Sequence, residues 1–236
     1  MYVGFTTLED EMDGNLELLA GCPLFREVTQ PQIEAMLKCM KARRKAAARG
    51  EVVFLEDSPA EYVGVVLSGE VRVLRDDVYG NRTIQAVIQP GGMFGETFAC
   101  AGLARLPVSV EASQPSEVLL IPLKRILHTC ANACGFHNRV IMNLLKVLAE
   151  KNLQLNGKLE IASRRTIREK LMAYLANQAR QAGSSAFTIP LDRQGLADYL
   201  GVDRSALSAE IGKLRREGLI ESNRSAFRLL AEERGQ

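Results

Sequence analysis

Tryptophan is absent from this chain of 236 residues, histidine occurs twice and aromatic residues make up 6%. With two imidazoles, and with no P-loop, no Gly-x-Ser-x-Gly elbow and no His-Glu-x-x-His run, the sequence carries no enzyme constellation. Long apolar runs are missing too. Stretches such as 63–67 and 118–122 fall far short of the ~20 residues that span a bilayer. No basic-then-apolar signal segment opens the chain, so a cytoplasmic protein with no membrane partner is expected. Five scattered cysteines (Cys22, Cys39, Cys100, Cys130, Cys134) are an odd number, which argues against a secreted disulfide framework. The carboxylates Asp76 and Asp77 sit at an expected hairpin end, where solvated turn residues are the simplest account.

A strong excess of either charge is lacking overall, at a net +2, but the balance is uneven. From residue 164 onward 13 Lys+Arg face 9 Asp+Glu, whereas the rest holds 17 against 19. A basic C-terminal third on a mildly acidic body points to a polyanion at one end only. With 47% hydrophobic and 25% charged residues the chain is an ordinary globular one, long enough for one large or two modest domains.

What the chain does contain is ordered by region. After an acidic opening, Leu16, Leu18, Leu19 and Phe25 suggest a short helix interrupted at Pro23. Pro31 begins a second helix with Ile33, Met36, Leu37 and Met40 at helical spacing. From about Arg43 to Pro122 come short β-rich runs: 52–55, 62–67, 71–74, 83–88, 108–110 and 118–121. Glycines at 50, 69, 80, 91 and 92 punctuate them, which implies a compact barrel or sandwich, with both open. A helix is expected over 123–130 and a long one from about Gly135.

In that long helix Ile141, Leu145, Leu148, Asn152, Leu155, Leu159 and Ala162 step by four and three, the seam of a coiled coil. Asn152 fills the one polar slot, a device that fixes register. A second row, Val140, Leu144 and Val147, is expected to face the β-region. The alternative is a central helix packed only on its own domain.

The sharpest signal lies in residues 192–220. Leu196, Ala197 and Leu200 form the inner face of one helix, Gly201 and Val202 a turn, and Leu207, Ile211 and Leu214 the inner face of a second. Asp192 and Asp203 stand as N-caps. This is helix–turn–helix patterning, whose second helix enters the DNA major groove by its N-terminal residues. The base-reading candidates are therefore Arg204, Ser205, Ser208 and Ala209, with Arg204 able to pair bidentately with guanine. Arg193, Gln194, Lys213, Arg215, Arg216 and, on an expected wing turning at residues 223–225, Arg224 are candidates for phosphates. A rival reading is a nucleotide-binding regulatory module that docks a partner protein through this bundle. Arg193, Arg204, Arg215 and Arg224, all within the last 44 residues, favour DNA.

From about Leu18 to Leu230 the chain resembles the Crp–Fnr superfamily of bacterial transcription regulators. The resemblance rests on Val65-Val66-Leu67-Ser68-Gly69-Glu70-Val71, on Pro90-Gly91-Gly92-Met93-Phe94-Gly95-Glu96, on the long helix, and on Gly201-Val202-Asp203-Arg204-Ser205-Ala206-Leu207-Ser208. It implies an α+β fold: a cyclic-nucleotide-binding-type β-roll with N-terminal helices over 1–134, a coiled-coil dimerisation helix over 135–163, and a winged helix–turn–helix over 164–236. It further implies a homodimer that binds a near-palindromic double-stranded site, works with RNA polymerase, and responds to a small molecule or redox signal.

The effector is where this sequence departs from the family pattern. Cyclic-AMP-binding members follow the Gly-Glu, about ten residues on, with an Arg-Ser that grips the cyclic phosphate. Here Gly95 and Glu96 are present, but Leu106-Pro107 fills the Arg-Ser slot and Arg105 falls one place early. Gly95, Glu96 and Arg105 are the candidate effector pocket. Burying a phosphate without a guanidinium partner is strongly disfavoured, so cyclic AMP is not the expected ligand, and the effector is left unassigned. An iron–sulfur cluster of the family's type lacks ligands, since only Cys22 lies near the N-terminus. The set His128, Cys130, Cys134 and His137 has soft-ligand spacing for zinc, haem or a redox pair. Its simpler reading is buried small thiols beside surface histidines, and no metal or haem is assigned. Cys100 is read the same way.

Overall fold

A computed structural model of the chain describes residues 13–77, 79, 81–128 and 135–230. Cys130 and Cys134 lie outside the described residues. The chain divides into two compact units, 1–149 and 150–236.

The first unit opens with α1 (Asp13–Gly21), a 3₁₀ turn (Pro23–Phe25) and α2 (Gln30–Cys39). Proline starts the turn and the second helix, where its missing N–H has no partner to lose. Eight strands follow: β1 (Arg43–Ala47), β2 (Val52–Phe54), β3 (Tyr62–Ser68), β4 (Val71–Asp76), β5 (Arg82–Ile88), β6 (Met93–Phe94), β7 (Ser109–Ala112) and β8 (Ser116–Pro122). They form two antiparallel four-stranded sheets, in the orders β1-β8-β3-β6 and β2-β7-β4-β5. The choice left open by periodicity is thus resolved as a two-sheet β-roll. Two helices, α3 (Glu96–Cys100) and α4 (Leu123–Leu127), flank the last two strands.

The central pair β3–β8 explains the continuous apolar runs. Side chains alternate between faces along a strand, and both faces of this pair are buried. Val63, Val65, Leu67, Leu119 and Ile121 point into a core shared with α1 and α2, whereas Val66, Val118 and Leu120 point between the sheets against Phe54, Phe94 and Val110. Gly64 faces Phe94 so closely that a Cβ there would lie 2.2 Å from the ring.

The long helix α5 (Gly135–Ala162) begins in this unit. Val140, Leu144 and Val147 join the core of α1 and α2, as their spacing predicts. Asn143, 2% exposed, donates from Nδ2 to the Leu24 carbonyl at 3.1 Å and the Arg26 carbonyl at 2.7 Å. His137 is also buried, its Nε2 2.9 Å from the Arg125 carbonyl, which corrects the expectation of a surface imidazole.

The second unit comprises the last turns of α5, α6 (Ile167–Ala182), β9 (Ala186–Thr188), α7 (Arg193–Leu200), α8 (Arg204–Arg216), β10 (Ile220–Asn223) and β11 (Ala226–Leu229). The strands pair in the order β10-β11-β9. Leu171, Leu175, Leu196, Leu200, Leu207, Ile211, Leu214 and Phe227 supply most of its core. The hairpin turns on Arg224 and Ser225 alone, since Asn223 already pairs with Ala226. Arg224 takes a positive φ of 49° there.

Replacing Asn143 by alanine strands the buried Leu24 carbonyl and removes the donor of the Arg26 carbonyl. The expected cost is about 2–4 kcal/mol in urea unfolding. A change within about 0.5 kcal/mol, the range of an inert surface substitution, contradicts this role.

Candidate nucleic-acid interface and sensor site

The helix–turn–helix is assembled by its caps. The Asp192 carboxylate accepts from the Gly195 amide at 2.7 Å, and α7 ends at Gly201, whose φ of 62° is costly for a residue with a Cβ. The Lys170 ammonium, from α6, donates to the Leu200 carbonyl at 3.1 Å and so covers the C-terminal end of α7. Asp203 then caps α8: it accepts from the Ala206 amide at 2.9 Å and from the Ser205 hydroxyl. These contacts hold the Asp203 carboxyl below its ordinary value, the Ser205 hydroxyl first and the backbone amides next.

At about 100° per residue, the buried Leu207, Ile211 and Leu214 share one face of α8. Ser205, Ala209, Gly212 and Arg216 lie opposite, and Arg204, Ser208 and Arg215 share one flank. All four base-reading candidates, Arg204, Ser205, Ser208 and Ala209, are exposed. Ser205 donates its proton to Asp203, so outward it offers only acceptor lone pairs.

The phosphate candidates are differently held. Arg193 is half-buried with its guanidinium 5.2 Å from the centre of the Phe227 ring, beside Arg215; burial and that second cation lower its pKa. Gln194 donates to Asp198 at 2.8 Å, Lys213 lies 3.5 Å from Glu210, and Arg216 donates to the Gly212 carbonyl at 3.3 Å. Arg215 and Arg224 are exposed. What local patterning missed is Arg168 of α6, which bonds Glu210 at 2.8 Å and both Glu217 oxygens at 2.6 and 2.7 Å. Its partners are 42 and 49 positions away, beyond any local pattern.

In the β-roll, Gly95 has a φ of 80°, and a Cβ there would lie 2.9 Å from the Tyr62 carbonyl. Glu96 opens α3 and is 1% exposed, with the Thr97 hydroxyl 3.2 Å from its Oε1. Arg105 is exposed instead, donating to the Asp57 carbonyl at 2.8 Å. Its neighbour Leu106 is 3% exposed, packed in the inter-sheet core with Phe54, Val66 and Phe94. Backbone bonds from Asp57 to Leu106 and from Leu106 to Ser58, both 2.9 Å, stitch this segment to the β2–β3 loop. Thus Glu96 is inside, the guanidinium is at the surface, and a leucine fills the position where a phosphate grip is expected.

Burial pushes the Cys22 thiol up to about 11, and burial together with the Glu96 charge raises that of Cys100. Neither has the character of an activated thiolate. His128 is exposed, its Nδ1 2.7 Å from the Lys124 carbonyl. Among the described residues no group of three or more His, Cys, Asp or Glu side chains is arranged to hold a metal ion, and no helix is long and apolar enough to cross a membrane.

Known proteins agree with this geometry. Residues 44–133 match the cyclic nucleotide-binding domain family and residues 169–234 the Crp-like helix-turn-helix domain family. The chain is 32% identical over 200 residues to the nitrogen fixation regulation protein FixK of Azorhizobium caulinodans, covering 79% of this chain and 74% of that one. It is 23% identical over 202 residues to the cyclic AMP receptor protein of Thermus thermophilus, covering 86% and 89%. The crystal structure of DNR from Pseudomonas aeruginosa superposes with a TM-score of 0.51 at 22% identity, over 96% of this chain and 98% of that one. Fold and interface together define a DNA-binding transcription regulator with a winged helix–turn–helix and a cyclic-nucleotide-binding-type β-roll. The chain belongs to the Crp–Fnr superfamily, whose members are regulators and not enzymes.

The Asp203 cap carries a pH signature. A carboxyl depressed by folding stabilises above its unfolded value of about 4 and loses that contribution as pH falls through the folded value. Asp203→Ala is therefore expected to melt below the wild type at pH 7, with the gap closing as the solution is acidified past about pH 4. A gap as wide at pH 3 as at pH 7 contradicts the capping account.

Proposed function

We propose that the protein acts in the cytoplasm as a homodimer on a near-palindromic duplex, with a sensor part to residue 134, a pairing helix over 135–163 and a DNA part from 164. The observation that carries the reading is the state of α5. Leu145, Leu155 and Leu159 are 54%, 59% and 66% exposed along one row, while Val140, Leu144 and Val147 on another row are buried. A leucine row left in water, with Asn152 in its midst, suits a second copy of the same helix. Twofold pairing then sets two α8 helices against successive major grooves when they stand about one helical turn, ~34 Å, apart.

Within each half-site Arg204 reads a guanine, Ser208 and the Ala209 methyl contact neighbouring bases, and Arg193, Arg215 and Arg224 hold phosphates. The buried Leu106 and the outward Arg105 support a sensor whose ligand is not cyclic AMP: seating a phosphate there means expelling a core leucine and desolvating an anion without a fork to meet it. Whatever signal the β-roll takes acts by binding two dimer states with different affinity, which is what moves the two reading helices together or apart. RNA polymerase is the partner through which occupancy of the site becomes regulation.

The test uses a duplex selected by the wild-type protein from a random-core pool. Arg204→Ala is expected to weaken that duplex by about 1–3 kcal/mol and to relax discrimination at one base pair of each half-site. Arg215→Ala is expected to weaken selected and scrambled duplexes alike and to lower the salt slope by about one. Full discrimination retained by Arg204→Ala contradicts base reading by this residue. A cyclic-AMP titration is expected to leave the melting temperature unmoved, and a large upward shift contradicts the argument from Leu106.

A further inference from the structure

A helix that approaches a polyanion carries two carboxylates on one flank. Glu210 lies on α8 away from the Arg204–Ser208–Arg215 flank, and Glu217 follows at its C-terminal end. Both are taken by one guanidinium. Arg168 donates from Nε to Glu210 at 2.8 Å and from Nη2 to the two Glu217 oxygens at 2.6 and 2.7 Å. Arg168 is itself anchored at the second position of α6, whose start is locked by a reciprocal cap. The Glu169 amide bonds the Thr166 hydroxyl, and the Thr166 amide bonds the Glu169 carboxylate, each at 3.1 Å.

Leu207, Ile211 and Leu214 bury the inner face of α8, but apolar contact is non-directional. A rotation of ~20° about the helix axis moves a side-chain tip by about 2 Å at the ~6 Å radius of a helix with its side chains. That is enough to break a bidentate pair, which tolerates only a few tenths of an ångström around ~2.9 Å. A guanidinium fork is directional where leucines are not. Arg168 and Glu217 are 41% and 44% accessible in their side chains and Glu210 15%, and the exposed pair of Arg168 with Glu217 adds little to folding stability. An arrangement of three well-made bonds with little to add to stability calls for another role.

We propose that Arg168 is a positioning residue for base reading: its fork onto Glu210 and Glu217 sets the rotation of α8 so that Arg204 and Ser208 meet the groove. The inference rests on α8 being the base-reading helix. It differs from a phosphate contact, which weakens all duplexes equally when lost, and from simple charge neutralisation, which a lysine satisfies as well as an arginine.

The experiment compares the full-length wild type, Arg168→Gln and Arg168→Lys on the duplex selected by the wild type and on a scrambled duplex of equal length, with melting temperatures measured alongside. Both variants are expected to lose about tenfold or more on the selected duplex and less than about threefold on the scrambled one. Their melting temperatures are expected to fall by no more than ~3 °C. Equal losses on both duplexes, no loss on either, or full discrimination by Arg168→Lys overturns the proposal. Should Arg168→Gln fail to fold, Glu217→Ala, which removes two of the three bonds, is expected to show the same differential loss, and its absence is equally decisive. A wild type that selects no duplex at all overturns the base-reading helix itself, and the role of Arg168 falls with it.

Discussion

One helix in this chain carries more apolar surface than its own unit covers. Val140, Leu144 and Val147 lie within about 60° of one another around α5, and the seam from Ile141 to Leu159 lies roughly a quarter turn away. The first row is consumed by the core of α1, α2 and the β-roll, with Asn143 bonded to the turn between those helices. Of the second row, Leu145, Leu155 and Leu159 stay in water, while Ile141 packs against that same core. Burying three leucines there contributes at most roughly 1.5–3 kcal/mol each, which offsets part of the ~4–15 kcal/mol that association of two copies costs. Each assignment made to the duplex, from paired half-sites to the spacing of the reading helices, follows from what covers that row.

The DNA-binding unit shows how little of a recognition helix is free for reading. Its inner face is core, its N-terminus is spent on the Asp203 cap, the Ser205 proton goes to that cap, and one flank is tied down by Arg168. What projects freely is a short outward set of Arg204, Ser208 and Ala209, with Gly212 beyond. On the proposed reading few long side chains stand between the helix and a groove, and specificity would rest on one bidentate cation, small-residue contacts and the shape of the duplex. On the same reading affinity would come from the surrounding arginines, of which Arg193 lies over the Phe227 ring.

Much of this was legible beforehand because it is periodic or capped. The 3.5-residue seam, the buried row beside it, the two aspartate caps and the turn glycine each write themselves into consecutive residues. Other features left no local trace. Strand β1, Arg43–Ala47, has no apolar alternation; its inward positions are Arg44 and Ala47, and it is held by pairing with β8. Helix α3 spans five residues, too few for a period. His137 reads as a surface residue until α5 is set against α4. Arg105 and Leu106 are intermediate: the displaced arginine is visible as spacing, but that the leucine occupies the core is a property of the closed roll. The Arg168 fork, spanning more than 40 residues, belongs wholly to tertiary structure.

The measurement that bears most directly on the account is stoichiometry. Sedimentation of the full chain with a palindromic duplex and with one half-site of the same flanking length counts chains per duplex and compares the two affinities. The expected result is two chains on the palindrome, bound as a unit, with the half-site weaker by several orders of magnitude at equal salt. A single chain holding one half-site as tightly as the palindrome holds its complement contradicts the pairing of α5 and, with it, the twofold reading of the operator.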